Sequence, residues 1–159
     1  MTVQQIKQKV SENREDIIKF LREIVAIPSM EGQLKDVGDR IQAEMKKLGF
    51  DEARFDKMGN TIGRIGNGKK VIVFDSHIDT VGVGDPSEWE WDPFKGKVED
   101  GVLYARGAVD EKGSTPGMVY GLAIAREQQI AARRRDQHRP DEETAPPAHD
   151  AVAVPRFEE

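Results

Sequence analysis

The residues best suited to chemistry are a histidine and an aspartate two positions apart, His77 and Asp79, and a further aspartate, Asp110, in a glycine-framed segment. An apolar run at residues 71–74 precedes His77, which is typical of a β-strand. Because a strand alternates its side chains, His77 and Asp79 are predicted to point to the same side at its C-terminal end. Imidazole and carboxylate groups bind zinc and similar metals. The sequence therefore predicts half of a metal site.

The His-x-Asp triplet also has a purely structural interpretation, because a histidine that merely ends a strand gives the same pattern. The order of four longer segments separates the two interpretations: residues 20–29, 58–60, 75–81 and 106–113. Together they resemble the M20 metallopeptidases, the di-zinc group of aminoacylase, acetylornithine deacetylase and succinyl-diaminopimelate desuccinylase. The likeness is greatest to the branch linked to selenium metabolism, and it extends from the first predicted helix to Arg126.

The resemblance implies a role for each residue. His77 corresponds to a ligand of one zinc, Asp110 to the carboxylate bridging two zincs, and Asp79 to the catalytic aspartate that orients His77. It also implies a cis peptide bond between Asp110 and Glu111. The implied cofactor is zinc, two ions per site, with cobalt or manganese as alternatives. Two cations would activate a water and polarise the carbonyl of a peptide or N-acyl amino acid substrate.

Length and composition limit the other possibilities. The 159 residues suffice for one domain, and the resemblance implies a truncated N-terminal fragment that lacks the family's dimerisation domain, its remaining metal ligands and its glutamate base. A net charge of −5 with no dominant basic face argues against nucleic acid as a partner. The absence of cysteine leaves only nitrogen and oxygen donors for a metal. Without a membrane-length apolar run or a signal peptide, the chain is predicted to be cytoplasmic.

The pattern of elements predicts an α/β fold. Helices are predicted over residues 3–26 and 34–48, strands over 53–56, 61–65 and 70–74, a loop over 81–95, a strand over 102–104 and a helix from 113. A turn at Gly66-Asn67-Gly68 predicts that the second and third strands form a hairpin. Combined with the resemblance, this order implies the N-terminal half of a zinc-exopeptidase-like three-layer α/β sandwich with a mixed sheet.

The sequence changes character after Arg126. All twelve lysines precede that residue, whereas half of the eight prolines and two of the three histidines follow it. We therefore expect residues 1–126 to form a partial catalytic domain. Residues 127–159 are expected to be a tail, either translated out of frame or flexible. Glu142-Glu143 lies near the expected position of the family's glutamate pair, but its proline-rich surroundings exclude a buried strand, so neither residue is assigned to the site.

Several other side chains allow two interpretations. Lys112 is predicted to be a solvated lysine at a helix start, with substrate contact as the alternative, and Arg106 is predicted to form a structural ion pair. Trp89, Trp91 and Phe94 either line the substrate cleft or pack beneath their loop.

Two functions remain open. By lineage the chain is a metal-dependent hydrolase of amide bonds, here inactive because it is incomplete. The alternative is a non-catalytic α/β fragment that binds at most one metal weakly. The two differ in whether the glutamate base and the remaining ligands are present.

Overall fold

The computed structural model describes residues 2–30 and 32–137, with backbone only for residues 128–137. It contains helices α1 (Val3–Glu12), α2 (Arg14–Val25), α3 (Lys35–Lys47) and α4 (Ser114–Gln137), a short 3-10 helix (Pro86–Glu88), and strands β1 (Glu52–Phe55), β2 (Thr61–Arg64), β3 (Lys97–Glu99) and β4 (Val102–Tyr104). The predicted α/β class is confirmed. Over the described residues, no helix is long and apolar enough to cross a membrane.

The hydrophobic core lies where α2, α3 and α4 meet. Its buried residues recur at helical spacing on these three helices: Phe20, Ile24, Val37, Ile41, Met45, Val119 and Tyr120. Strands β1 and β2 pair antiparallel, with Glu52 opposite Arg64, and both contact α3. Strands β3 and β4 form a second antiparallel pair. The helices and the first hairpin therefore form the framework that carries the candidate site.

One buried polar cluster crosses this core. The Tyr120 hydroxyl donates to Glu44 Oε1 at 2.5 Å, and Arg40 Nη2 donates to Glu44 Oε2 at 2.7 Å. Lys47 adds a third contact to Glu44 at 3.1 Å. The Glu44 side chain is only 3% exposed, so these donors replace the water that its charge would otherwise require.

Close packing of α3 on the hairpin depends on Gly38. A Cβ there would lie 2.5 Å from Phe55 Cε1 and 2.6 Å from Thr61 Oγ1. We expect Gly38→Ala to lower the free energy of unfolding by about 1–3 kcal/mol, because overpacking outweighs a helix-propensity gain of up to about 1 kcal/mol. The matched control is Gly121→Ala in α4, where nothing lies within 4 Å of the added Cβ. It should raise that free energy by about 0.5–1 kcal/mol. Urea denaturation measures both, and an equal response of the two variants would contradict the prediction.

Two predicted elements differ from the structure. The single helix predicted over residues 3–26 is two helices that meet at Asn13, whose side chain and backbone amide both donate to Lys9 O, at 2.9 and 3.2 Å. The predicted strand over residues 70–74 and its hairpin with the preceding strand do not form a regular ladder. Strand β2 pairs with β1, only isolated bridge residues are present at Ile65 and Ile72, and residues 71–74 are each 43–59% exposed. This run has the composition of a strand but lacks the ladder that defines one.

The last helix passes the predicted boundary at residue 126. Helix α4 continues to Gln137. The remaining tail, with Glu142-Glu143, lies outside the described residues, and the proposed division of the chain into a domain and a tail stays a prediction. Strand β3 was not predicted from the sequence, because its three residues are all exposed and give no apolar alternation.

Candidate functional site

The segment that carries His77 and Asp79 is irregular, and Ser29 holds it in place. Ser29 Oγ donates to the carbonyl of Ile78 at 2.8 Å, and the amide of Thr80 donates to the carbonyl of Ser29 at 2.9 Å. Ser29 is fully buried in the loop after α2. Because the two bonds fall on either side of Asp79, the backbone at that residue is tied from both neighbours.

The segment that carries Asp110 is held by Lys112. Its Nζ donates to the carbonyls of Ile24 and Ile27 at 2.9 and 2.8 Å, and the residue is 1% exposed. Burial lowers the pKa of Lys112 to about 8. The carbonyls belong to the C-terminal end of α2, where unpaired acceptors favour a cation. The loop with Asp110 is thereby fastened to the same end of α2 as the segment with His77.

These two segments also touch each other through Gly107. Its φ of +76° is accessible to glycine at little cost, and a Cβ there would meet Thr80 Cγ2 at 2.5 Å. A hydrogen bond between Ser76 Oγ and Thr115 Oγ1 at 3.2 Å joins the first segment to the start of α4. The peptide bond between Asp110 and Glu111 is cis, as the resemblance implies.

The imidazole of His77 lies between two carboxylates. Its Nδ1 is 3.0 Å from Asp79 Oδ1 and its Nε2 is 2.8 Å from Asp110 Oδ1. Both ring nitrogens lie within hydrogen-bond distance of a carboxylate, which the charged imidazolium satisfies with two N–H donors. A metal bound at Nε2 would require the neutral tautomer in which Nδ1–H donates to Asp79 and the lone pair lies on Nε2, on the side that faces Asp110. The structure thus brings together all three residues that the sequence singled out, although His77 and Asp79 are not on a strand.

The electrostatics of this group follow from its partial exposure. The side chains of His77 and Asp110 are 47% and 88% exposed, so a ligand can reach them from solvent. Burial lowers the pKa of His77, but the hydrogen bond to Asp110 and the charges of Asp79 and Asp110 outweigh it, so that the net pKa is raised.

The donor set fits a metal only in part. The 2.8 Å between His77 Nε2 and Asp110 Oδ1 suits two donors that each lie about 2.0–2.2 Å from a shared ion. Glu111 Oε2 is 3.6 Å from the same nitrogen. No group of three or more histidine, cysteine, aspartate or glutamate side chains in the described part of the chain is arranged to hold a metal. His77 and Asp110 therefore amount to a partial ligand set.

An apolar cavity of about 250 Å³ opens beside this group. His77 and Asp79 lie on its lining, and helices α3 and α4 contribute apolar side chains to another part of the wall, Ile41, Met45, Met118, Val119 and Leu122. The cavity therefore places apolar surface beside the histidine.

The aromatic residues of the 81–95 loop pack with one another. Trp91 contacts Trp89 and Tyr104 edge to face, with ring centroids 6.2 and 5.1 Å apart. Arg106 stacks on Trp89 at 4.9 Å, and its buried Nε has no hydrogen-bond partner among the described residues, where the predicted ion pair is not found. The cavity beside His77 is lined by other residues. Packing beneath the loop is the role that these contacts support for Trp89 and Trp91.

Sequence reasoning missed Ser29 and misjudged Lys112. Lys112 was expected to be solvated, but it is buried against α2 because two carbonyls there accept from its ammonium group. Ser29 follows the proline that ends the α2 segment, and nothing in its local sequence indicates a contact with residues 78–80. Both act over sequence separations of 49 to 88 residues, which periodicity does not reveal.

An α/β fold that places a histidine between two carboxylates provides side chains suited to metal-dependent hydrolysis. The sequence matches the peptidase family M20/M25/M40 over residues 73–153, which is about half of the chain. The chain belongs to this family, as the resemblance predicted.

Curated relatives agree with this assignment. The uncharacterized protein YgeY of Escherichia coli K12 is 41% identical over 77% of this chain and 30% of its own length. Succinyl-diaminopimelate desuccinylase of Ehrlichia canis is 32% identical over 68% of this chain and 30% of its own length. The chain therefore spans about 30% of the length of these relatives.

Solved structures share the fold. An M20 family metallo-carboxypeptidase of Sulfolobus solfataricus superposes with a TM-score of 0.63 at 26% identity, covering 71% of this chain and 28% of that one. Human carnosine dipeptidase 1 superposes with a TM-score of 0.66 at 18% identity, over 92% of this chain and 33% of that one, which is a likeness of fold alone.

Proposed function

We propose that the chain carries one part of the metal centre of an amide-bond hydrolase, with His77 and Asp110 as metal ligands and Asp79 as the residue that orients His77. The observation that carries the proposal is the placement of His77, with Nδ1 on Asp79 and Nε2 on Asp110. A carboxylate behind a ligating histidine fixes its tautomer and raises its basicity. Zinc is the proposed metal because nitrogen and carboxylate donors at such distances suit it.

The substrate class follows from the names of the relatives. A desuccinylase and a metallo-carboxypeptidase are both similar to this chain. We propose a peptide or N-acyl amino acid as substrate. When bound, the metal would supply a Lewis acid for the substrate carbonyl and a water of lowered pKa. The chain's own part is to hold the ligands in place and to provide an apolar cavity wall beside His77.

We further propose that a polypeptide of these 159 residues binds a single metal ion weakly and does not turn over substrate. His77 and Asp110 are two ligands, whereas three protein ligands usually hold a catalytic zinc. The resemblance assigns the general base to a later glutamate that was not identified in the sequence of this chain, and loss of a general base costs about 10²- to 10⁴-fold in rate.

The test combines binding with turnover. The purified chain, stripped of metal, is titrated with Zn²⁺ by calorimetry and then assayed with N-acyl amino acids and dipeptides. We expect one weak binding event and no hydrolysis above a zinc-only blank. Binding of two ions with robust turnover would contradict the incomplete-site proposal. Absence of any Zn²⁺ binding would remove the metal site itself.

A further inference from the structure

Residues 24–29, which are the last residues of α2 and the loop that follows it, contact both ligand-bearing segments of the candidate site. With the segment that carries His77 they form two hydrogen bonds: the Thr80 amide donates to the carbonyl of Ser29, and the Ser29 hydroxyl donates to the carbonyl of Ile78. In the segment that carries Asp110, Lys112 donates to two of their carbonyls. The two segments are far apart in sequence from residues 24–29 and carry the two halves of the site.

From this convergence we infer that Ser29 and Lys112 are positioning residues, which set the geometry of His77, Asp79 and Asp110 by anchoring both segments to residues 24–29. The inference rests on the proposed metal site, because it concerns the placement of its ligands. It adds to that proposal two residues that are not ligands themselves.

The Ser29 contacts act on Asp79. They fall on the residues immediately before and after it, at 2.8 and 2.9 Å. A backbone fastened at both neighbours leaves Asp79 little freedom to turn away from His77 Nδ1. Removing only the Ser29 hydroxyl breaks the hydrogen bond to the carbonyl of Ile78, the residue next to His77. The backbone bond between Thr80 and Ser29 is kept.

The Lys112 contacts act on Asp110. Lys112 lies two residues after Asp110, and its backbone amide donates to Gly107 O at 3.0 Å, three residues before Asp110. The loop around Asp110 is therefore closed by this backbone bond and attached to the end of α2 by the ammonium group of Lys112. A solvated lysine would serve no such purpose. The burial of Lys112 to 1% exposure, with two carbonyl acceptors, places its charge where it fixes the loop rather than where it meets a substrate.

A role in general stability alone would also explain buried hydrogen bonds, and the experiment must separate the two. The variants are Ser29→Ala and Lys112→Met. The matched control is Tyr120→Phe, which removes a buried hydrogen bond to Glu44 in the polar cluster around that residue. Circular dichroism and urea denaturation of the full chain establish that each variant is folded and how much stability it has lost.

The first readout is Co²⁺ affinity, with the visible absorption of the bound ion reporting its coordination geometry. We expect Ser29→Ala and Lys112→Met to weaken affinity by about 10- to 100-fold and to change the spectrum, as loss of a supporting contact behind a ligand does. Tyr120→Phe should stay within about two-fold of the parent chain, since its lost bond does not support a ligand. An equal loss in all three variants would overturn the positioning role, and so would no loss in either site variant.

The second readout needs no metal. In the metal-free ¹⁵N-labelled chain, the ring nitrogen shifts of His77, assigned by their absence in His77→Ala, report which nitrogen is hydrogen-bonded. We expect both site variants to move these shifts and Tyr120→Phe to leave them unchanged. If the parent chain binds no Co²⁺ while the shifts respond in this way, the metal proposal fails and the positioning role stands. If Co²⁺ binds and neither readout distinguishes the site variants from Tyr120→Phe, the positioning role fails alone. If only Lys112→Met fails to fold, Ser29→Ala decides by the same two readouts.

Discussion

His77→Ala is expected to lower the affinity of the chain for Zn²⁺ by on the order of 100-fold or more, because loss of a supporting residue alone costs about 10- to 100-fold and His77 would be a direct ligand. Asp110→Ala should have a comparable effect, since its Oδ1 lies 2.8 Å from His77 Nε2 on the same side of the ring. Asp79→Ala should cost less, about 10- to 100-fold, because it removes the acceptor behind His77 and leaves both ligands. Calorimetry at fixed pH and ionic strength measures all three.

The order in which these variants lose Zn²⁺ affinity distinguishes ligands from the residue that orients a ligand. Asp36→Asn removes an exposed carboxylate from the first turn of α3, at a residue that does not line the cavity beside His77, and controls for the loss of one negative charge. It should leave the affinity for Zn²⁺ unchanged within about two-fold, since surface charges at a distance are screened. Should Asp79→Ala prove as damaging as His77→Ala, Asp79 would be a ligand itself. Affinity that is indifferent to His77 would place the zinc elsewhere.

The sequence predicted the helices well because their cores rest on local periodicity. The helix predicted over residues 34–48 appears as α3, Lys35–Lys47, and Gly49 follows with a positive φ of 79°. Apolar residues at spacings of three and four place one face of a helix in the core whatever its distant partners are. The division at Asn13 was not predicted, because it depends on a hydrogen bond from the Asn13 side chain to the carbonyl of Lys9, which apolar periodicity does not indicate.

Strands were predicted less well because each needs a partner. The run at residues 71–74 has the composition of a buried strand, yet its side chains are 43–59% exposed and no ladder forms on it among the described residues. Composition describes which surfaces a strand could bury, whereas the ladder depends on what lies beside it. For the same reason the predicted hairpin is reduced to isolated bridge residues at Ile65 and Ile72, while the regular partner of β2 is β1.

The candidate site shows the same division between local and distant information. His77 and Asp79 are close in sequence, and their residue types indicated metal chemistry. The placement of Asp110 opposite them came from the resemblance, and no pattern of spacing specifies it. Ser29 and Lys112 were beyond reach because their partners are carbonyl oxygens 49 to 88 residues away. Every residue has a backbone carbonyl, so the residue types do not indicate which carbonyl accepts a given hydrogen bond.

The second large effect is expected at Glu44, in the core and away from the site. Glu44→Ala should lower the free energy of unfolding by about 2–4 kcal/mol, because the buried Tyr120 hydroxyl loses its acceptor and Arg40 keeps only Glu23. Tyr120→Phe should cost less, about 1–3 kcal/mol, since it removes one donor and leaves Glu44 with its cations. The double variant Glu44→Ala/Tyr120→Phe should cost less than the sum of the two, because both remove the same bond. Additive losses would show that the two residues are not coupled.

Acid adds a test specific to the charge of Glu44. Burial raises the pKa of Glu44, but the hydrogen bonds from Tyr120, Arg40 and Lys47 outweigh it and hold the folded pKa below its ordinary value of 4.5. A lowered folded pKa means that the ionised group stabilises the fold above about pH 4.5 and that this contribution is lost as the pH falls through the folded pKa. Glu44→Gln lacks the titrating group, so the stability difference between it and the parent chain should be constant from pH 7 to pH 5 and shrink below that. Urea denaturation at stepped pH measures the difference. A gap that stays constant into the acid range would mean that the carboxylate of Glu44 is not the charged acceptor of this cluster.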